Sequence, residues 1–474
     1  MTSKLMTIRK HAVQNKNFKF NNLYHLITEE LLTESFYSLK RRSAAGIDGV
    51  TWEKFHLFSK QLIKRLHADV HSGKYKPSPA RRIYIPKADG SQRPLSIICL
   101  KDKVVQQAVC KILESIYEAD FMGFSYGFRP ERSQHQALDA LYVALNRKKI
   151  NWVLDLDITK FFDTVEHQWL TKFLEHRIAD KPMLKLITKW LKVGFLGERD
   201  QRVKAQVGTP QGAVISPLLA NIYLHYSFDL WINRERNRSA MGDVTIVRFA
   251  DDAVIGFQFK NDAEACLDGL KNRLDEFGLT VHPDKTKLIR FGRFAFEDYK
   301  KGKSRRPKTF DFLGFTHYWD LTRNRKGIIL KRKTIKKRLL SKLKWIRVEL
   351  RKRLHFQPKE VGRWLRKIIQ GHLNYYGVPT NGKSLNLFVE EITKAWLKQL
   401  RRRSQRHVMT WQRFKRLVDY WIPKVKITHP YPEQRFDVRP KVGAVCVSSA
   451  RTDLCGGERV TAIPTATLCL EGAE

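Results

Sequence analysis

Three carboxylates in this 474-residue chain fall where paired strands would end. The strand candidate Trp152–Ile158 carries Asp157 near its end, and Asp251 and Asp252 separate two further apolar runs, Val244–Phe249 and Ala253–Phe257. Two such runs flanking an acidic pair predict a hairpin with the pair at its turn. If one sheet brings Asp157 to that turn, the three acids repel one another unless divalent cations sit between them. Oxygen donors select Mg²⁺, which keeps some waters and takes substrate phosphates as further ligands. Two such ions activate an attacking oxygen and stabilise a leaving one, the chemistry of phosphoryl transfer on nucleic acids. Taken alone, Asp-Asp at a turn is ordinary turn composition, so the reading depends on its surroundings. Strand alternation puts Asp155 on the face of Asp157, and Asp163 lies close by, so a supporting role for either stays open.

The elements that must position these acids follow from hydrophobic patterning. Residues 76–320 mix short strand-like runs with helices, an α+β pattern, and residues 1–75 read as mainly helical, most clearly at 28–32 and 52–66. The longest charge-free stretch, Ala205–Phe228, contains Gly208, Pro210, Gln211, Gly212, Pro217 and Asn221. A lipid-exposed helix tolerates these poorly, so the stretch is expected to be a buried element rather than a membrane span. Further on, Ile335, Leu339, Leu340, Leu343, Ile346, Leu350 and Leu354 recur at steps of three or four, one apolar helix face among lysines and arginines.

Charge limits what such a protein could act on. Lys and Arg number 89 against 47 Asp and Glu, a net +42. Residues 321–440 hold 33 basic and 7 acidic residues, a surplus of 26 in a quarter of the chain. Self-repulsion on this scale calls for a polyanion, and phosphate neutralisation with counterion release makes that polyanion nucleic acid. Trp345, Trp364, Tyr375, Tyr376, Trp396 and Trp411 interleave with these cations, either stacking on bases or filling a core. The six cysteines never fall at CxxC spacing, which argues against a disulfide framework or zinc ribbon and for reduced thiols in a cytosolic compartment. The N-terminus has no continuous apolar core, so no secretory signal is expected.

The full constellation is more specific than any one motif. Asp157-Ile-Thr-Lys-Phe-Phe162-Asp163, Gly208-Thr-Pro-Gln211-Gly212 and Phe249-Ala-Asp251-Asp252 occur in order. Around them stand Gly46-Ile-Asp48-Gly49, Ile85-Pro-Lys87, Arg93-Pro94-Leu95, Tyr126-Gly127-Phe128-Arg129-Pro130, Asp284-Lys285, Phe312-Leu313-Gly314 and Asn374-Tyr375-Tyr376-Gly377. Over about 20–440 the chain resembles reverse transcriptases, and more narrowly the group II intron-encoded reverse transcriptase/maturase of bacterial type. The resemblance implies a right-hand polymerase fold: an N-terminal extension at 1–75, fingers and palm at 76–321, a helical thumb or maturase domain at 322–400, and a short basic DNA-binding region with a tail at 401–474.

It also implies roles. Asp157, Asp251 and Asp252 would be catalytic and hold two Mg²⁺ ions, with Mn²⁺ as a substitute. Lys87 and Arg93 would grip the incoming triphosphate, Phe162 would exclude a 2′-hydroxyl (Phe161 could exchange roles with it), Gln211 would lie beside the template and nascent pair, and Lys285 would protonate the pyrophosphate leaving group. Lys336, Lys337, Arg338, Arg401, Arg402 and Arg403 would contact RNA. The partners implied are group II intron RNA, an RNA template with a DNA primer or target, and dNTPs, with no membrane and a location in the bacterial cytosol as a nucleoid-associated ribonucleoprotein. Phe249 stands where the family usually has Tyr. Cys446, Cys455 and Cys469 do not match the paired CxxC motifs of a zinc-braced HNH endonuclease, so none is expected. Two alternatives stay open: a splicing-only RNA-binding maturase with a vestigial polymerase site, and a domesticated reverse transcriptase in defence or DNA repair.

Overall fold

The computed structural model describes residues 3–86, 92–196, 202–203, 207–403 and 409–438. Four helices open the chain: α1 (Ser3–Gln14), α2 (Glu29–Ser38), α3 (Trp52–Leu57) and α4 (Ser59–His71). The Thr28 side chain caps α2 by accepting from the Leu31 N–H, and Thr51 caps α3 through Lys54. Strands β1 (Ala80–Pro86) and β2 (Gln92–Ile97) then form an antiparallel ribbon that pairs Ile85 with Arg93. Helices α5 (Leu100–Tyr117) and α6 (Gln134–Arg147) follow, the latter opened by a reciprocal Ser133–Gln136 capping box.

β3 (Trp152–Leu156) leads into α7 (Phe161–Thr164), α8 (His167–Glu175), α9 (Lys181–Lys192) and the short strands β4 (Phe195–Leu196) and β5 (Arg202–Val203). The charge-free segment becomes α10 (Ser216–Leu224), a π-helical turn (His225–Asp229) and α11 (Leu230–Arg238). Leu218, Leu219, Ile222, Tyr223 and Leu224 are buried there, against protein and not lipid. No helix among the described residues is long and apolar enough to cross a membrane.

β6 (Val244–Phe249), β7 (Asp252–Phe257), α12 (Lys260–Asp275) and β8 (Lys287–Arg290) complete a four-stranded antiparallel sheet ordered β6-β7-β3-β8. Its two faces enter different cores. Leu154, Leu156, Ile246 and Ile255 pack toward α5, α8 and the N-terminal helices, while Val153, Val247, Val254 and Ile289 pack toward α6. Burial on both sides explains why β6 and β7 read as mostly apolar runs, interrupted by Thr245 and Arg248 in β6. α13 (Arg293–Lys300) precedes a smaller sheet of β9 (Phe310–Phe312), β10 (Phe315–Leu321) and β11 (Ile328–Thr334) on the α6 side.

Three helices, α14 (Lys336–Lys352), α15 (Pro358–Tyr376) and α16 (Gly382–Arg401), form a bundle around Leu339, Leu343, Ile346, Leu365, Phe388 and Trp396. They begin at Lys336 and follow the β10–β11 hairpin, where Leu321 pairs with Ile328. One sequence expectation needs correction. Leu340 is 54% exposed, since it stands one residue, about 100°, away from the buried Leu339 stripe. Two helices beyond 401 contact the rest of the chain. α17 (Trp411–Trp421) buries Phe414 in the bundle core, and in α18 (Pro432–Val438) Arg435 bonds Asp139 of α6 at 3.0 Å. Of the interleaved aromatics, Trp396 is core, whereas Trp345 and Trp411 are exposed, with Lys342 over the Trp345 ring. Cys99, Cys110 and Cys266 are free thiols; the other three cysteines lie outside the described residues.

Candidate active site

The sheet register brings the three acids to one edge. β3 pairs with β7 through Leu156↔Ala253, and β6 with β7 through Phe249↔Asp252. One step further along that register sets Asp157 opposite Asp252, with Asp251 in the turn between. Asp157 is anchored through its main chain: its carbonyl accepts from the His282 N–H at 2.8 Å, and its own N–H reaches Thr286 Oγ1 at 3.3 Å. The 282–286 loop also presents Lys285, whose Nζ lies 3.4 Å from both carboxylate oxygens of Asp157. The residue expected to face a leaving group therefore rests, in this state, against an acid.

Electrostatics show how tightly the acids crowd. Burial raises the Asp251 carboxyl above its usual range and Asp157 adds to the rise, while its own backbone N–H, Arg93 and Arg248 oppose it. Asp252 reaches solvent, yet loss of hydration on its protein side, with the charges of Asp251 and Asp157, pushes it up to about 6. Asp155 rises to about 7, first through burial and then through Asp252, Asp311 and Asp157. Carboxyls raised by their neighbours are groups that a cation would relieve.

The donor set suits a hard divalent cation, being made only of carboxylate oxygens. Among the described residues no group of three or more His, Cys, Asp or Glu side chains is placed to hold a metal ion, so the acids by themselves do not make a complete site. The Lys285 ammonium already sits against Asp157, so the site accepts positive charge at that acid.

Around the acids the other expected residues separate into those brought close and those elsewhere. Arg93, exposed near the start of β2, lies within electrostatic reach of Asp251. Phe161 is 1% exposed, whereas Phe162 is only partly buried, so Phe162 is the ring of the pair with a free side. The Phe162 carbonyl accepts from the Thr209 N–H at 2.8 Å, and the Gln211 carbonyl accepts from Ser96 of β2 at 2.6 Å. The loop 207–212 therefore bridges α7 and the β1–β2 ribbon. Two glycines permit it: a Cβ on Gly208 (φ +85) would lie 3.0 Å from the Phe162 carbonyl oxygen, and one on Gly212 (φ +108) 2.5 Å from that of Ser96. Lys87 lies outside the described residues.

Lys336, Lys337 and Arg338 are exposed on the first turn of α14, and Arg338 lies near enough to Asp252 to oppose the rise in its carboxyl. Arg401, Arg402 and Arg403 close α16 far along the chain from that turn, with Arg401 Nε donating to the Met409 carbonyl at 3.3 Å. Sequence reasoning missed the buried polar residues behind the acids. Arg248 forks onto Asp229, Asn221 bonds both Arg248 and the Gly127 carbonyl, and Arg129 forks onto Glu118. An arginine inside an otherwise apolar strand, Val244–Phe249, is the one signal that could have pointed to them.

Comparison with known proteins agrees with this geometry. The reverse transcriptase (RNA-dependent DNA polymerase) family pattern matches residues 85–317, which span β1 to β10 and so contain the three acids. The protein YkfC of Escherichia coli (strain K12) is 34% identical over 311 residues, which cover 58% of this chain and 81% of YkfC. The group II intron-encoded protein LtrA of Lactococcus lactis subsp. cremoris is 39% identical over 223 residues, 47% of this chain and 37% of LtrA. The putative COX1/OXI3 intron 1 protein of Saccharomyces cerevisiae is 28% identical over 334 residues, 60% of this chain and 40% of that protein. The chain thus spans well under half the length of these two intron-encoded relatives. By its acid-bearing sheet, its family pattern and these similarities, the chain belongs to the reverse transcriptase family, on its group II intron-encoded branch.

Proposed function

We propose that this chain is an RNA-directed DNA polymerase of a group II intron, which copies RNA into cDNA for intron mobility and binds its intron RNA to assist splicing. The single observation that carries the reading is the convergence of Asp157, Asp251 and Asp252 at one sheet edge, with Arg93 within electrostatic reach of Asp251. Asp157, Asp251 and Asp252 would hold two Mg²⁺ ions, which supply Lewis-acid activation of a primer 3′-oxygen and charge neutralisation at the pyrophosphate. The chain's own groups do the rest. Arg93 presents a guanidinium fork to the triphosphate, with Lys87 as its expected companion. Phe162 closes the sugar side of the site against a 2′-hydroxyl. The Gly208–Gly212 loop lets backbone approach the nascent pair beside Gln211.

Lys285, whose Nζ lies 3.4 Å from the Asp157 carboxylate, would give a proton to the departing pyrophosphate. The basic helices would supply affinity: Lys336, Lys337 and Arg338 on the first turn of α14, and Arg401, Arg402 and Arg403 at and just beyond the end of α16, would bind RNA phosphates. Group II intron RNA, an RNA template with its DNA primer or target, and dNTPs are the corresponding partners. The reading is tested by offering the purified chain a DNA primer annealed to RNA, with dNTPs and Mg²⁺. Template-directed extension is expected, and its absence at every divalent concentration would refute the polymerase.

A further inference from the structure

Ala250, immediately before the acid pair, adopts a left-handed conformation with φ 57°. Alanine has no intrinsic preference for that region, so the surroundings must impose it. The Arg248 side chain, 1% exposed, does so from behind. Its Nη1 donates to the Ala250 carbonyl at 2.9 Å and to Asn221 Oδ1 at 3.2 Å, while Nε and Nη2 donate to the two oxygens of Asp229 at 2.7 and 2.5 Å. Asp229 is fully buried at the end of the π-helical turn, where the Leu230 N–H reaches back to the His225 carbonyl. Such turns place a side chain where a regular helix would not. Asn221 completes the lattice, its Nδ2 donating to the Gly127 carbonyl at 2.7 Å. Main-chain bonds also hold Arg248: its N–H donates to the Phe124 carbonyl at 2.9 Å, and its carbonyl accepts from the Tyr126 N–H at 2.8 Å.

We infer that Arg248, Asp229 and Asn221 are positioning residues, which fix the turn so that Asp251 and Asp252 present their carboxylates together toward a divalent cation. The inference rests on the polymerase reading of those acids. Stability alone is a poor reason for the lattice, because a buried ion pair is often matched or exceeded by apolar side chains of similar volume. What an apolar pair cannot do is grip the Ala250 carbonyl. Lysine would keep the charge but not the fork that serves Asp229 and Ala250 at once. Loss of the grip should therefore weaken cation binding and turnover while leaving RNA affinity, which resides on other helices, intact.

Two variants separate positioning from folding: Arg248→Lys, and the apolar double replacement Asp229→Leu with Arg248→Met. Each is measured for melting temperature, RNA affinity, Mn²⁺ binding to the free protein by electron paramagnetic resonance, and the Mg²⁺ dependence of primer extension. Folding and RNA affinity are expected near wild type, with Mn²⁺ affinity about tenfold weaker, half-saturating Mg²⁺ raised similarly and kcat down by about tenfold or more. Should either variant fail to fold, Asn221→Ala, which leaves the Arg248–Asp229 pair in place, carries the same expectation at about threefold. Folded variants with wild-type Mn²⁺ affinity and wild-type Mg²⁺ requirement would overturn the inference. If the wild-type chain extends no primer, the polymerase reading fails, and Mn²⁺ binding alone still decides whether the lattice sets the acids.

Discussion

Replacing Gly127 by Ala would drive a methyl group into the backbone of the turn that carries Asp251 and Asp252. The added Cβ would stand 2.3 Å from the Ala250 nitrogen, 2.9 Å from the Phe249 carbonyl carbon and 3.0 Å from the Ala250 Cα. Ordinary contact begins near 3.4 Å, so the two segments must part by about 1 Å. Neither side yields easily. The colliding atoms are main chain, so no side chain can swing aside. The 122–129 loop is tied down by Arg129, which bonds Glu118 through Nε and Nη2 and donates to the Met122 and Ser125 carbonyls at 2.7 and 2.9 Å. Overpacking of this kind costs about 1–3 kcal/mol, a melting shift of a few degrees. A 1 Å displacement of catalytic groups costs about a hundredfold in turnover. Single-turnover incorporation of one dNTP onto a bound RNA–DNA primer, read beside RNA affinity and melting temperature, separates the two effects. A folded Gly127→Ala protein with near-wild-type turnover would refute the claim that this loop abuts a catalytic turn.

Three other perturbations probe separate parts of the account. Phe162→Ala should relax sugar selection, lowering the preference for dNTP over rNTP by about tenfold or more, since removing a clash of 1–3 kcal/mol has that effect; competitive incorporation assays read it. Glu114 is raised to about 7, first by burial and then by Glu118. The folded value lies above the unfolded one, so the linked stability is present below pH 4.5 and lost as pH rises through 7. Glu114→Gln should accordingly stabilise the fold at pH 8 by about 1–2 kcal/mol once partial solvent contact is allowed for, raising the melting temperature there and leaving it unchanged at pH 4.5. Lys336→Gln with Lys337→Gln should reduce the slope of log affinity for RNA against log salt by about 1–2; Arg338 is left intact because its charge also acts on Asp252.

Much of the site was legible in sequence because its logic is local. An acidic pair between two β-rich runs defines its own hairpin, and glycines at 208 and 212 mark close backbone approach before any partner is known. The apolar stripe of α14 was equally readable, and Leu340 misled only because it borders the stripe. What sequence could not supply was long-range pairing. Arg248 and Asp229 belong to different elements, and no periodicity links them. The raised carboxyl of Asp155 depends on Asp311, which arrives from a second sheet.

The central claim is that Asp251 and Asp252, with Asp157, perform metal-dependent polymerisation on a chain whose basic helices bind RNA independently. The most direct measurement is Mg²⁺-dependent extension of a DNA primer on an RNA template by the Asp251→Ala, Asp252→Ala protein, with RNA affinity determined on the same preparation. Extension should be abolished while RNA affinity stays within about twofold of wild type, since the proposed phosphate contacts are made by basic side chains that the variant leaves in place. Undiminished extension by that variant would contradict the account.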